Sequence, residues 1–135
     1  MKKTLRLLAI ALIAMMLCIS LVSCFGPNAD PDDALEALED NGIKAVKDNV
    51  AMPLTLKALG IDDVDTVIVG SGEIDDEYAH ITIIYFDDKD DANDAFERVK
   101  EYAEDTKDED EKDWVCKKSG NMIYYGTKAA IKAAR

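Results

Sequence analysis

The sequence is poor in the residues that usually carry chemistry. It has one histidine, His80, and three cysteines, Cys18, Cys24 and Cys116. No group of Cys and His has the spacing of a zinc site. Residues 70–72, Gly-Ser-Gly, follow a strand-like run but lack the third glycine of a dinucleotide site and the lysine of a phosphate loop. They read as a turn, and no motif calls for a cofactor. The absence of long internal repeats excludes solenoids and propellers. Positive charge is scarce, with 16 Lys and Arg against 28 Asp and Glu. Phosphate contacts need clustered cations, so nucleic acid is excluded as a partner. No apolar run reaches the roughly 20 residues a helix needs to cross hydrocarbon.

Acid is missing altogether from the start of the chain. No Asp or Glu precedes Asp30, while Lys2, Lys3 and Arg6 stand near the beginning. Residues 7–22 then run LLAIALIAMMLCISLV, with Ser20 as the only polar residue besides Cys18. A basic head and a short apolar run form the pattern of a secretory signal. Three of the 16 basic residues lie in residues 1–23, so the rest of the chain holds 13 against 28 acids, a net of −15. That charge suits solubility, a cationic partner or a metal ion. It is also expected to hold the domain off an anionic bilayer.

A cysteine stands where the apolar run stops. Leu21-Val22-Ser23-Cys24 resembles the lipobox of bacterial lipoproteins. The resemblance implies that a diacylglycerol is joined to the Cys24 thiol and that a peptidase then cuts just before it. The thiol is the strongest nucleophile available for lipid transfer, and a small Ser23 lets the peptidase close around the bond. Residues 1–23 are then a signal peptide. Cys24 is the lipid attachment site, and the protein sits on the extracytoplasmic side of the cell membrane. The closing stretch SGNMIYYGTKAAIKAA is also similar to that of small lipoproteins of Gram-positive anaerobes, a likeness that brings no activity with it. With Cys18 removed and Cys24 a thioether, only Cys116 stays a thiol, so the mature chain forms no internal disulfide.

Residues 24–30 read as the lipidated cysteine and a short tether, broken by Gly and Pro. Residues 31–135 read as a single acidic α+β domain. Asp30 can cap a helix with Pro31 in its first turn and Gly42 at its end. Residues 43–47 are a weak strand, and 53–59 a short helix. Residues 64–70 and 78–86 are strands by β-branched content, with a turn over 72–77 between them. Residues 88–105 form an amphipathic helix with Ala92, Ala95, Phe96, Val99, Tyr102 and Ala103 on one face. Residues 106–113 are an acidic loop. A hairpin of 114–118 and 121–125 turns at Ser119-Gly120, and Thr127 can cap a last helix over 128–134. This order resembles a ferredoxin-like antiparallel sheet with helices mainly on one face and extra terminal helices. Residues 78–86 carry two apolar faces, one of Ala79, Ile81, Ile83 and Tyr85, the other including Ile84 and Phe86. The second face needs a cover, either the terminal helices or a partner.

Few residues invite chemistry. His80 and Cys116, on neighbouring strands, would make a nucleophile and base pair. Residues 87–94, DDKDDAND, invite a calcium reading but fail the EF-hand template, since Phe96 stands where that loop needs Gly. They fit better as the acidic start of the helix that follows. Trp114, Tyr124 and Tyr125 have the rings to stack on a sugar. The expectation is a lipoprotein held to the membrane through Cys24, a non-enzymatic binding or accessory module for a protein or ligand of the envelope. The alternatives are a small enzyme using His80 and Cys116, and a domain that binds a divalent cation or small ligand.

Overall fold

The computed structural model describes residues 26–107 and 113–135. The signal segment, Cys18, Cys24 and most of the acidic loop lie outside the described residues. Asp30 caps the first helix, α1 (Pro31–Asp40), with its carboxylate accepting from Asp32 N at 2.9 Å and Asp33 N at 3.4 Å. Strand β1 (Ile43–Lys47) follows, then α2 (Ala51–Ala58), β2 (Val64–Ile74) and β3 (Glu77–Phe86). Helix α3 (Lys89–Thr106) leads to β4 (Trp114–Ser119), β5 (Met122–Thr127) and the short α4 (Lys128–Ala133). The fold is α+β, with one five-stranded antiparallel sheet and the terminal helix expected from the sequence.

The strand order is β1-β2-β3-β5-β4, which departs from the ferredoxin-like arrangement. There the first two strands run parallel with a third between them, and the connecting helix crosses the whole sheet. Here α2 has eight residues, about 12 Å of helix, beside an eleven-residue β2 of about 36 Å. The chain instead turns back, and β1 lies antiparallel directly against β2, Ala45 opposite Gly70.

The helices are shared between two faces rather than gathered mainly on one. Ile43, Ile68, Ile81, Ile83 and Tyr85 face α1 and α4, which contribute Ala34, Leu38, Ala130 and Ile131. Val67, Ile84, Phe86 and Ile123 face α2 and α3, which contribute Leu56, Ala92, Ala95 and Val99. The terminal helices do cover one apolar face of β3, but the face of Ala79 to Tyr85; Ile84 and Phe86 lie under α3. Both sides of the strand are therefore dry, which is why its sequence alternates poorly. Each fully buried Ile or Leu contributes about 1.5–3 kcal/mol.

Strand β2 runs four residues further than its β-branched stretch suggests. Gly70, Ser71 and Gly72 are strand residues paired to β1, not a turn. A side chain at Gly72 would meet the Gly42 carbonyl oxygen at 2.9 Å, so glycine lets β2 pass under the α1–β1 connection. The turn itself is Asp75-Asp76, with φ of 53° and 66°. Both left-handed positions fit the two-residue turn that matches strand twist. A bulge at Asp65 returns Val64 to the same side as Val67.

Helix α2 has no side-chain cap at Val50. Asp48 supplies one from upstream, accepting from Val50 N, Ala51 N and Met52 N at 3.0, 2.9 and 3.1 Å. The bond from Val50 is the largest cause holding its carboxyl below the usual carboxylate range, and burial opposes it. Asp48→Ala is expected to cost about 1 kcal/mol at neutral pH. The folded carboxyl titrates below the unfolded one. The stabilisation is thus present above the ordinary carboxylate range and lost as pH falls through the folded value. Urea midpoints of wild type and variant should differ at pH 7 and converge in acid. A gap that stays constant would assign the effect to packing.

Candidate functional site

Residues 26–28 are part of the domain. Gly26 lies on the Tyr124 ring, where a Cβ would sit 3.3 Å from the phenol oxygen. Pro27 is buried. Asn28 N donates to the Ala134 carbonyl at 2.8 Å, and the Tyr85 hydroxyl donates to the Asn28 carbonyl at 2.8 Å. Burial pushes the Tyr85 phenol well above its ordinary value, so it stays protonated as the donor. Of the short tether expected over residues 24–30, the described part is packed on the domain from Gly26 onward.

Beside that seat is a groove of about 490 Å³. It forms because α4 is short and leaves the edge strand β4 uncovered on this face. Val115 from β4, Tyr124 from β5 and Ile131 from α4 make its apolar lining. Lys117 from β4, Lys128 and Lys132 from α4, and Arg135 place four cations on its rim. All four are exposed. Sequence reading missed this cluster. Its signal was the spacing of Lys128 and Lys132 at i and i+4, one helical face, with Arg135 just past the helix end; Lys117 arrives only through the pairing of Lys117 with Tyr124.

The structure does not bring His80 and Cys116 together. Strand β5 lies between β3 and β4, a separation of two strand spacings, or about 10 Å. Burial pushes the Cys116 thiol up to about 11, with Glu104 adding to the rise and Lys100 opposing it. It is a protonated, half-buried thiol, packed beside the cluster of Tyr125 and Ile123. His80 stacks on Tyr78 at 5.6 Å between ring centroids. Thr127, expected as a helix cap, makes no cap bond. Its hydroxyl accepts from His80 N and donates to the His80 carbonyl instead.

The aromatic candidates also separate. Tyr124 and Tyr125 point to opposite faces of β5, and Trp114 lies under the Lys107 ammonium at 4.9 Å. The acid run does what a helix start requires: Asp88 caps α3 by accepting from Asp91 N at 2.9 Å. Asp63, Asp87 and Asp91 bring carboxylate oxygens within 4.8 Å of one another. Desolvation foremost, then Asp88 and Asp63, raise the Asp91 carboxyl above its ordinary value. These are exposed or half-exposed groups, and their proximity is explained by the Asp87 N bond to the Asp63 carbonyl at 3.0 Å.

Some large apolar side chains are exposed: Val46 on the edge strand β1, Val50 at the start of α2 and Leu54 within it, at 63%, 68% and 63%. Among the described residues, no helix is long and apolar enough to cross a membrane. No family model, curated protein or solved structure matches the chain.

Proposed function

We propose that this chain is a lipid-anchored protein of the cell envelope, held to the extracytoplasmic side of the membrane through Cys24. Its domain acts as a binding or accessory module rather than an enzyme. The observation that carries the reading is the box Leu21-Val22-Ser23-Cys24 at the end of a basic head and a 16-residue apolar run. Two features of the fold support it. The domain is seated from Gly26 onward, so the packed chain begins two residues after the cysteine of the box. The described residues hold one cysteine, Cys116, as a free thiol, so the packing of this part of the domain needs no disulfide. The module reading draws support from the distance between His80 and Cys116 and from the raised Cys116 thiol. The exposed Val46, Val50 and Leu54 suit contact with an envelope protein or ligand.

Labelled palmitate is expected to enter the wild-type chain and not Cys24→Ala, and the variant should keep residues 1–23. Equal labelling of the two, or none of either, would remove the anchor.

A further inference from the structure

We infer that the groove between α4 and β4 binds the phosphate headgroup of an anionic lipid in the membrane that holds the protein. This inference rests on the anchor at Cys24 and deepens it. Charge complementarity is the first argument. In a chain of net charge −12, Lys117, Lys128, Lys132 and Arg135 line one groove. Charges further off than the Debye length of about 8 Å are screened, so a surface touching this groove meets its cations and not the acids of the far side. On this inference, the net charge expected to hold the domain off an anionic bilayer does not govern this end of the molecule.

Position is the second argument. Tyr124 forms both a wall of the groove and the seat of Gly26. With the lipid on the residue two positions before Gly26, a chain length of at most about 7 Å, the groove would be held close to the bilayer. The third argument is the lining. Val115, Tyr124 and Ile131 place apolar atoms between the cations. A lipid headgroup has that same composition, an anionic phosphate joined to a glycerol and then to chains. Lysine and arginine stems cover apolar surface while their heads stay in water, so the rim can follow the interface.

The test uses the full chain isolated from membranes and reconstituted into vesicles. One set is phosphatidylcholine alone, and the other also contains phosphatidylglycerol. Amide hydrogen exchange is read over α4 and β4. A basic residue near an anionic surface contributes about fivefold in affinity. The wild type should exchange more slowly, by about fivefold or more, only where phosphatidylglycerol is present. Lys128→Gln with Lys132→Gln should weaken the affinity about 25-fold and abolish that slowing. Lys57→Gln with Lys89→Gln, exposed lysines outside the groove, should preserve it.

Identical exchange on the two vesicles would overturn the inference. Loss of the slowing in both lysine pairs would overturn it too, assigning the effect to overall charge. If soluble glycerol phosphate on neutral vesicles slows exchange as much, the groove takes a free anion and the lipid assignment falls. Palmitate labelling of the same preparation keeps the two readings apart. Labelled protein with indifferent exchange rejects the groove and retains the anchor. Unlabelled protein rejects the anchor and the orientation built on it.

Discussion

Gly126→Ala is expected to be among the most damaging single changes in this chain. Gly126 lies in β5, between Ile81 of β3 and Val115 of β4. Its φ is 147°, which L side chains rarely adopt. An added Cβ would overlap the His80 carbonyl oxygen and lie 2.8 Å from Ile81 Cα. Both obstacles are backbone of the neighbouring strand, so relief requires the sheet to part where β3 meets β5. Backbone strain and lost strand pairing together should cost about 4 kcal/mol, a large share of the 5–15 kcal/mol typical of a domain. Gly120→Ala is the matched control. Its φ is 58°, but nothing lies within 4 Å of the added atom, so about 1–2 kcal/mol is expected. Urea midpoints check both. If the two variants lose the same stability, close approach at Gly126 is not what constrains the sheet.

Ile84→Asp should be as severe, for a different reason. Ile84 is fully buried, opposite Val67 on one side and Ile123 on the other, under α3. Truncating a buried isoleucine costs about 2–5 kcal/mol, and a carboxylate left there without a partner adds a desolvation cost of several more. Loss of cooperative thermal unfolding is expected, in a protein of unchanged oligomeric mass before heating. A stable variant that loses only a dimer would instead make this face an interface and contradict the cover by α3. Asp94→Ala, on the exposed side of α3, should leave the melting temperature close to wild type.

These two positions also mark what could be read beforehand. Local signals with a mechanism were legible. Asp30 and Pro31 announced α1 through cap and first turn, and residues 43–47, read as a weak strand, form β1. The order of elements followed. Signals that depend on a neighbour were not. Gly70 and Gly72 look like a turn because their reason, the close approach of β1 and Gly42, is invisible along the chain. The true turn, Asp75-Asp76, carries no glycine at all. Two apolar faces on residues 78–86 showed that both sides need cover, but not which helix covers which. Asp48 caps a helix that begins three residues later, so the cap stands apart from the element it serves. The basic groove is the same case on a larger scale. Lys117 and Lys132 are 15 positions apart, and only the β4–β5 hairpin and the return of α4 bring them to one rim. The candidate pair His80 and Cys116 failed for the converse reason: neighbouring in pattern, they are parted by β5, which inserts between their strands.

The central claim is that the chain is processed at, and anchored through, Cys24. The most direct measurement is the intact mass of the protein extracted from membranes with detergent. The expected species begins at residue 24 and carries the mass of a diacylglyceryl group on its first residue, with or without an acyl group on the new amino end. A chain that still begins at Met1, or one cut elsewhere with Cys24 as a free thiol, would contradict it.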